Sequence, residues 1–271
     1  MQKTIICLLK GDFMKKLIIV AGGTSDIGKS YMDYFSKDSK VIGISRKGFI
    51  PSNKNINSIK CELTNRNQTM SLSPLIDLSD IDKVILIHCI GEDVLESLNY
   101  PLIENKTTID SKVYDTCVNT LKNIIDLIIN KITIEREHGK NIGLTIVLFG
   151  AMTDRYNIPF FTSFRESKNI ARCHIQNLVK RHDWIKGFVV NVSTVKSKLS
   201  TKCRPYADMT YWLSPQEVVD KSVEQIINTK NKFEEIEIFK FDPNFESDYY
   251  TNNDKIFKKW MKEMYNKDWN R

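Results

Sequence analysis

The sequence lacks the cysteine patterns of disulfide-bonded and zinc-binding proteins. Its six cysteines stand singly along the chain, and none of them belongs to a Cys-x-x-Cys pair or to a Cys/His cluster. Neither a disulfide framework nor a metal site is therefore predicted. Scattered thiols are typical of a reducing compartment, so we expect a cytoplasmic protein.

The sequence also has no apolar run long enough to cross a bilayer, which takes about 20 residues. Its first residues, MQKTIICLLK, place one lysine before a short apolar stretch. That stretch is too short for the core of a signal peptide, and no small-residue cleavage site follows it. Met14 stands immediately before the first predicted strand, so residues 1–13 are interpreted as a dispensable N-terminal extension. No membrane partner is expected.

Charge of one sign is not concentrated in any segment, although the formal net charge is +7 and the pI about 8.9. Such a balance can attract nucleic acid, anionic membranes or phosphorylated ligands. However, the lysines are interleaved with acidic residues along the whole chain, and no known nucleic-acid recognition motif is present. A solvated basic surface is the simpler interpretation, and no nucleic-acid partner is expected.

No Pro/Gly/Ser-rich linker, repeat or low-complexity block divides the chain, so residues 14–242 are predicted to form one domain. Short apolar, β-branched runs alternate there with segments that are apolar at helical spacing. This alternation predicts an α/β fold with a doubly wound parallel sheet of Rossmann type in three layers, α/β/α. Strands are predicted at 17–21, 40–44, 56–61, 84–88, 142–149, 188–192 and 236–241, and helices at 26–37, 66–77, 108–133, 160–181 and from Ser214 to about 228.

The C-terminal tail, residues 243–271, has a different pattern. Its larger apolar side chains share one helical stripe, with lysines largely around it. The stripe predicts an amphipathic helix docked on the domain, and a helix lying on a membrane surface is the alternative. The stripe consists of Ile256, Phe257, Trp260, Met261 and Met264.

A glycine-rich turn follows the first predicted strand and opens the first predicted helix. It reads Ala21-Gly-Gly-Thr-Ser-Asp-Ile-Gly28. Gly22 permits a tight turn there, small residues let the backbone approach a pyrophosphate, and Gly28 allows close helix packing. The helix N-terminus then presents N–H groups to the negative charge. In this strand–turn–helix context the motif predicts a dinucleotide site.

The turn resembles the TGxxxGIG element of the short-chain dehydrogenases/reductases, with Ala21 for the threonine and Asp26 for the middle glycine. The resemblance covers roughly residues 14–240. It implies a nicotinamide cofactor, a small carbonyl or alcohol substrate, and a homo-oligomer. Asp26 brings an acid near the pyrophosphate, and a helix N-cap role is the expected reason that it is tolerated.

The end of the second predicted strand bears on the choice between NAD and NADP. NAD binders carry an acid there, about 20 residues past the first glycine, that grips the ribose 2′-hydroxyl. This chain has Arg46, which can pair with a 2′-phosphate and stack on adenine, so NADP(H) is favoured over NAD(H). A solvated charge at a strand end is the alternative.

Three further segments extend the resemblance. Glu62-Leu63 stands where the family places an acid and an apolar residue beside the adenine, and Gly91 matches the glycine that follows the fourth strand. Asn119 matches the catalytic asparagine. His88 is interpreted as structural, because it lies at a strand end in a packed turn. The predicted cofactor-binding residues are Gly22, Thr24, Ser25, Asp26, Ile27, Gly28, Arg46, Glu62, Leu63, Gly91 and Lys168.

The family's catalytic residues are only half present. Relatives carry Tyr-x-x-x-Lys on a helix, where the lysine grips the ribose and lowers the tyrosine pKa, and the tyrosine exchanges a proton with the substrate. Lys168 matches the lysine, Phe164 occupies the tyrosine's place, and Pro159 supports this register. Ala151 stands where the catalytic serine is expected. None of the ten tyrosines has a lysine four residues later.

Two classes of function remain open. One is an NADP(H)-dependent oxidoreductase with atypical or weakened catalysis, in which Lys168 and Asn119 are the retained catalytic residues. The other is an inactive NADP(H)-binding protein, such as a redox sensor or the partner of an active homologue. Thr153 and Tyr156 are candidate substitutes for the missing hydroxyl groups, and Ser193, Thr194 and Ser200 are candidate contacts of the nicotinamide and the phosphates.

Overall fold

The computed structural model of the chain describes residues 15–91, 109–154, 156, 161–246 and 248–268. The predicted N-terminal extension, the first residue of the predicted helix at 108 and Pro159 lie outside these residues. The described part contains one sheet with helices on both of its faces.

Seven parallel strands form the sheet, in the order β3-β2-β1-β4-β5-β6-β7. The first six follow the Rossmann order, in which the direction of winding reverses between β1 and β4. The expected α/β, doubly wound fold is therefore confirmed. The strands are β1 (Lys16–Ala21), β2 (Lys40–Ser45), β3 (Ile56–Lys60), β4 (Lys83–His88), β5 (Gly143–Phe149), β6 (Ile185–Val192) and β7 (Phe233–Ile238).

The helices between the strands cover the sheet, and the last helix follows β7. Side chains that alternate along β1 contribute to the two faces, since Leu17 and Ile19 pack into one hydrophobic cluster and Ile18 and Val20 into the other. Burial on both faces explains why the central strands are continuously apolar. The helices are α1 (Asp26–Phe35), α2 (Arg66–Met70), α3 (Ser111–Tyr114), α4 (Thr120–Glu137), α5 (Thr162–Arg181), α6 (Lys198–Cys203), α7 (Pro215–Asn228) and α8 (Asn253–Tyr265).

Two of the helix predictions were wrong in extent. The helix predicted over 66–77 stops at Met70, and a separate 3₁₀ turn follows over Ser73–Leu75. Pro74 explains the break, because its ring removes the N–H group that a continuing helix needs. The helix predicted over 108–133 begins at Ser111 after the N-cap Asp110, and it runs on to Glu137 through a π-helical turn over Asp115–Asn119.

The last strand was also predicted in the wrong place. It covers Phe233–Ile238, not 236–241, and lies at the edge of the sheet, paired only with β6 among the described strands. Its sequence, FEEIEI, mixes acidic with apolar residues, because an edge strand exposes part of its surface. The apolar residues that suggested a later strand pack elsewhere, since Phe239 contacts the cluster around α8.

The tail contributes a helix that packs against the rest of the molecule. Ile256, Phe257, Met261 and Met264 are buried on α8, and they form one hydrophobic cluster with Met152 and Phe161. Four of the five residues in the predicted apolar stripe are therefore buried against protein, and Trp260 is half-buried. Over the described residues, no helix has the length and apolar character that a membrane span requires.

Candidate active site

A deep cleft opens at the carboxyl ends of the strands, beside the reversal between β1 and β4. Its volume is about 980 Å³, within the range of about 300–1,000 Å³ typical of ligand pockets. More cationic than acidic side chains line it, which suits a ligand that carries phosphates. The cations are Arg46, Lys112, Lys168, Lys198, Lys202 and Arg204, and the acids are Asp26, Glu62 and Asp115.

The glycine turn forms the floor of the cleft where the chain leaves β1. Gly22 has φ +93°, and a Cβ atom there would lie 2.9 Å from the carbonyl oxygen of Cys89. A Cβ atom on Gly28 would lie 2.4 Å from the carbonyl oxygen of Gly22. Both positions require glycine: Gly22 because of its left-handed backbone and the close approach, and Gly28 because of the close approach alone. Thr24, Ser25, Asp26 and Ile27 line the cleft between them.

The expected N-cap role of Asp26 was wrong. Ser25 is the N-cap of α1, and its Oγ accepts a hydrogen bond of 3.0 Å from the backbone N of Gly28. Asp26 is the first residue of the helix, where a carboxylate still interacts favourably with the helix dipole. Its Oδ2 accepts a 2.7 Å hydrogen bond from the backbone N of Lys198. Asp26 therefore links the glycine turn to the start of α6, and residues of both segments line the cleft.

The residues predicted to hold the adenosine end line the same cleft. Arg46 is exposed at the end of β2, and Glu62 and Leu63 follow β3. The carboxylate of Glu62 accepts hydrogen bonds from the backbone N and the hydroxyl of Thr64, so it orders its own turn. Asn123, which sequence reasoning missed, donates a 2.8 Å hydrogen bond to the carbonyl oxygen of Leu63. An asparagine buried within an apolar helix stripe was the available signal, because a buried amide needs a hydrogen-bond partner.

Lys168 and Phe164 lie side by side on α5, one turn apart, and both line the cleft. Lys168 is 2% exposed, and its Nζ donates a 3.2 Å hydrogen bond to the carbonyl oxygen of Ile90. The same nitrogen lies 5.3 Å from the centroid of the Phe164 ring. A Cβ atom on Gly91 would lie 3.3 Å from that ring, so Gly91 allows the ring to approach the turn after β4. The predicted ribose-binding lysine is thus in the cleft, beside a ring without a hydroxyl group.

Asn119, the matched asparagine, does not line the cleft. Its Nδ2 donates a 2.7 Å hydrogen bond to Oδ1 of Asp115. Asp115 and Thr116 line the cleft instead, and Thr120 joins them from the first turn of α4. The π-helical turn between α3 and α4 rotates these side chains relative to a regular helix, and such turns are frequent at functional sites. Sequence periodicity gave no signal for it, because a π turn inserts one residue into the helical repeat.

The position at which the resemblance implies the catalytic serine lies, with its neighbours, at the other end of the cleft. Ala151 lines it in place of the serine, and buried Thr153 lines it two residues later. Tyr156 does not line it, and packs at a ring distance of 5.1 Å against Tyr250. Three further candidates from the sequence, Ser193, Thr194 and Ser200, all line the cleft.

His88 is fully buried and lies outside the lining of the cleft. Its Nε2 and the hydroxyl of Thr120 lie 2.8 Å apart within hydrogen-bonding distance. Burial, and then the charge of Lys168, hold the pKa of His88 well below its usual value. The ring therefore stays neutral at physiological pH, and it joins β4 to α4 as the structural interpretation expected. Among the described residues, no group of three or more metal-ligating side chains is present.

The tail closes the end of the cleft near Ala151 and Phe164. Trp260 of α8 lines the cleft there, beside Arg204 at the end of α6. The guanidinium carbon of Arg204 lies 4.1 Å from the ring centroid of Trp260 and 4.7 Å from that of Trp212. Its Nη1 forms a 3.0 Å ion pair with Glu263, and its Nη2 donates a 2.6 Å hydrogen bond to Thr194. Sequence reasoning predicted the helix but not its place at the cleft.

Solved structures with the same arrangement of strands and helices include ElxO with NADP bound, at 18% identity and a TM-score of 0.64, covering 83% of this chain and 98% of ElxO. A short-chain dehydrogenase from Burkholderia cenocepacia in complex with NADP matches at 15% identity and a TM-score of 0.65, over 84% and 89% of the two chains. The chain has the fold of the short-chain dehydrogenases/reductases. A 4-hydroxyisoleucine dehydrogenase complexed with NADH shares it at 17% identity and a TM-score of 0.65, over 86% of this chain and all of the other.

Sequence comparison alone does not reach this result, because no protein-family profile and no curated protein sequence matches the chain. Within the short-chain fold, the glycine turn, Arg46 and Lys168 line one cleft, as the resemblance implied. Phe164 and Ala151 line it as well, at the places where the resemblance implied a tyrosine and a serine. Of the two predicted catalytic residues, Lys168 lines the cleft and Asn119 does not.

Proposed function

We propose that the chain binds NADP(H) in this cleft and is an oxidoreductase of the short-chain type, acting slowly on a small carbonyl or alcohol substrate. The observation that carries the proposal is the meeting of the glycine turn and Lys168 in one cleft, although 140 residues separate Gly28 from Lys168 in the sequence. A buried ammonium group that faces a cavity is rare unless it has a ligand or partner to bind.

The residues of the cleft fit a dinucleotide phosphate. The glycine turn at the N-terminus of α1 is the kind of cradle that a pyrophosphate occupies. Its tight path depends on Gly22 and Gly28, because a Cβ atom at either position would collide with neighbouring backbone. Arg46 supports the preference for NADP(H), because an exposed guanidinium at the end of β2 can form bidentate hydrogen bonds to a 2′-phosphate. Lys168 would hold the nicotinamide ribose through its ammonium hydrogens.

The nicotinamide cofactor, when bound, supplies the hydride that is exchanged with the substrate carbon. The chain's part would be to orient both molecules and to move one proton. Lys168 can orient the ribose, and Thr153 is the buried hydroxyl nearest in sequence to the replaced serine. Phe164 offers no exchangeable proton. This side-chain set supports weakened catalysis, because the loss of a positioned acid/base costs about two to four powers of ten in rate.

The second candidate is a protein that binds NADP(H) without catalysis. The same two positions favour it, since Ala151 and Phe164 lack the hydroxyl groups that handle the substrate proton, whereas Lys168 remains. A solved tyrosine-to-phenylalanine variant of ElxO holds NADPH in the same fold, at 19% identity and a TM-score of 0.64. It supports the view that one tyrosine hydroxyl is not needed for NADPH to be held in this fold.

Titration of the purified full chain with NADPH and NADH, followed by NADPH oxidation against a panel of carbonyl compounds, tests both candidates. We expect NADPH to bind more tightly than NADH, and turnover to be detectable but slow. Binding without any turnover would favour the inactive protein. Failure to bind either nucleotide would overturn the proposal.

Two further expectations stay proposals. The homo-oligomer follows from the family resemblance, in which helices equivalent to 108–133 and 160–181 pair across a two-fold axis. Light scattering that gave a single 31.5 kDa species at micromolar concentration would refute it. The cytoplasmic location rests on the scattered cysteines of the sequence, and none of the described ones, Cys61, Cys89, Cys117, Cys173 and Cys203, forms a disulfide bond.

A further inference from the structure

We propose that Trp260 of α8 completes a substrate-recognition wall in the cleft, and that the substrate carries a flat aromatic ring beside its carbonyl or hydroxyl group. The wall consists of Met152, Phe161, Phe164, Cys203 and Trp260, which belong to one hydrophobic cluster and line the cleft. One part of the inference rests on the proposed function, namely that the ring is attached to a reacting carbonyl or hydroxyl group.

The Trp260 indole is held in place on several sides. The guanidinium of Arg204 lies over its ring at 4.1 Å from the centroid, and Phe161 meets it edge-on with the centroids 5.3 Å apart. Its side chain is also hydrogen-bonded to Tyr249, whose pKa is raised by burial so that the hydroxyl stays protonated. An indole fixed in this way needs little ordering when a ligand binds, which favours affinity for a ligand that matches its flat surface.

The wall has little charge to offer a ligand, although Arg204 packs against Trp260 beside it. Arg204 is 7% exposed, and Glu263, itself buried, neutralises it at 3.0 Å. A hydrogen bond from Nη2 to Thr194 occupies another of its donors. An anionic substrate group would have to compete with Glu263 for the guanidinium inside a buried site, where breaking a paired charge is costly. The wall therefore fits a neutral ring.

The position of the wall relative to Lys168 decides which part of the substrate it meets. Phe164 belongs both to the wall and to the pair with Lys168, at 5.3 Å from ring centroid to Nζ. A ring packed on Trp260 and Phe161 would thus stand next to the residues that hold the reacting end. Aromatic side chains recognise aromatic ligands through stacked and edge-on contacts, worth about tenfold in affinity for a well-placed pair.

Calorimetric titration of the full chain, saturated with NADP⁺ so that no hydride is transferred to a ketone, tests the wall. The probes are 2-acetonaphthone, cyclohexyl methyl ketone and dihydroxyacetone. We expect 2-acetonaphthone to bind at least about tenfold more tightly than dihydroxyacetone, and more tightly than the cyclohexyl ketone. Trp260→Ala should remove about tenfold of that affinity and leave the NADP⁺ affinity unchanged.

Trp184→Ala is the matched control. Trp184 is also half-buried and also lies under an arginine, 5.4 Å from Arg136, but it is outside the cleft lining. The Trp184→Ala variant should bind all three probes with unchanged affinity. Trp260→Leu keeps apolar volume and serves if the alanine variant does not fold, and it should abolish the preference for the naphthyl over the cyclohexyl ketone.

Equal affinities for the three probes in the wild-type chain, or an unchanged preference in Trp260→Leu, would overturn the wall. A chain that binds no nucleotide is titrated with the same probes alone. In that case the proposed cofactor is wrong, and the affinities of the three probes test the wall separately. The two failures therefore remain distinguishable.

Discussion

The two ends of the cleft differ in how closely they follow the short-chain pattern. At the proposed cofactor end, Gly22, Arg46 and Glu62 line the cleft, and Gly28 packs tightly against the carbonyl oxygen of Gly22. At the proposed substrate end, Ala151 and Phe164 stand at the positions where the resemblance implied the serine and the tyrosine that handle the proton. There the wall is completed by α8, which lies beyond the part of the chain that resembles the family.

Under the proposed function, this difference would make cofactor binding and proton transfer separable in this scaffold. The cofactor end depends on backbone geometry, which tolerates few substitutions, because a Cβ atom on Gly28 would lie 2.4 Å from a carbonyl oxygen. The substrate end depends on side chains that pack into an apolar cluster, and several combinations of apolar residues fill such a cluster equally well. A chain can therefore lose the proton donor and still keep the cleft.

The largest expected effect comes from rebuilding the substrate end. Phe164→Tyr combined with Ala151→Ser restores the family's hydroxyl groups beside Lys168, and we expect carbonyl reduction to rise by about two to four powers of ten. The measurement is NADPH oxidation with 2-acetonaphthone. The single variant Ala151→Ser is the control, because without the phenol it should gain little. A wild-type chain that already reduces carbonyls at the rate of the rebuilt one would contradict the comparison.

The next test concerns Lys168, which lies beside Phe164 and would hold the ribose of the cofactor. Lys168→Ala removes a buried ammonium group that would hold the ribose, so NADPH affinity should fall by about 1.5–3 kcal/mol, the worth of hydrogen bonds to a charged group. The loss is expected in the wild-type and in the rebuilt background alike, since it concerns binding. Lys180→Ala, an exposed lysine on the same helix, is the matched control. Unchanged NADPH affinity would show that Lys168 only holds the backbone of Ile90 in place and does not bind the nucleotide.

Much of the fold could be predicted from the sequence, because the central strands are buried on both faces and read as continuous apolar runs. The edge strand β7 was misplaced because its acidic positions break that signal. The prediction of α2 was too long because apolar spacing continued past Pro74. Helix bounds near the site also depended on a π-helical turn, which has no sequence signature of its own.

The candidate site was predictable where function depends on the backbone and less so where it depends on tertiary packing. The glycine positions follow from local spacing, and Lys168 follows from the resemblance to the family's motif. Asp26 was assigned to its own helix, whereas its partner is Lys198, which lies 172 residues away. Trp260 was recognised as part of an apolar stripe, but only the packed structure brings that stripe to Phe161 and the cleft. Contacts between distant segments carry no local pattern.

A smaller effect is expected at the adenosine end of the cleft. Arg46→Ala should weaken NADPH binding roughly tenfold and leave NADH binding nearly unchanged, because only NADPH has the 2′-phosphate. Parallel titrations of the two nucleotides measure the ratio. Lys47→Ala, the exposed neighbour outside the cleft lining, should change neither. Equal losses for both nucleotides would assign Arg46 to the shared part of the cofactor.

The smallest effect concerns the hydrogen bond that joins the two ends. Asp26→Gly restores the residue that the family pattern has at this position and removes the 2.7 Å acceptor of the Lys198 N–H group. A hydrogen bond to a charged acceptor contributes about 1.5–3 kcal/mol when buried, and Asp26 is half-buried, so a smaller loss is expected. The start of α6 should open more often, which hydrogen exchange at Lys198 would detect, and NADPH should dissociate a few-fold faster.

Asp26→Asn separates this contact from simple charge repulsion, because the amide oxygen can still accept the hydrogen bond while the negative charge near the pyrophosphate is gone. If repulsion dominates, both variants release NADPH more slowly than the wild-type chain, and Asp26 is then an obstacle that the cofactor end tolerates. If the contact dominates, only Asp26→Gly releases it faster, and the two ends of the cleft are held together by the residue that departs from the family pattern.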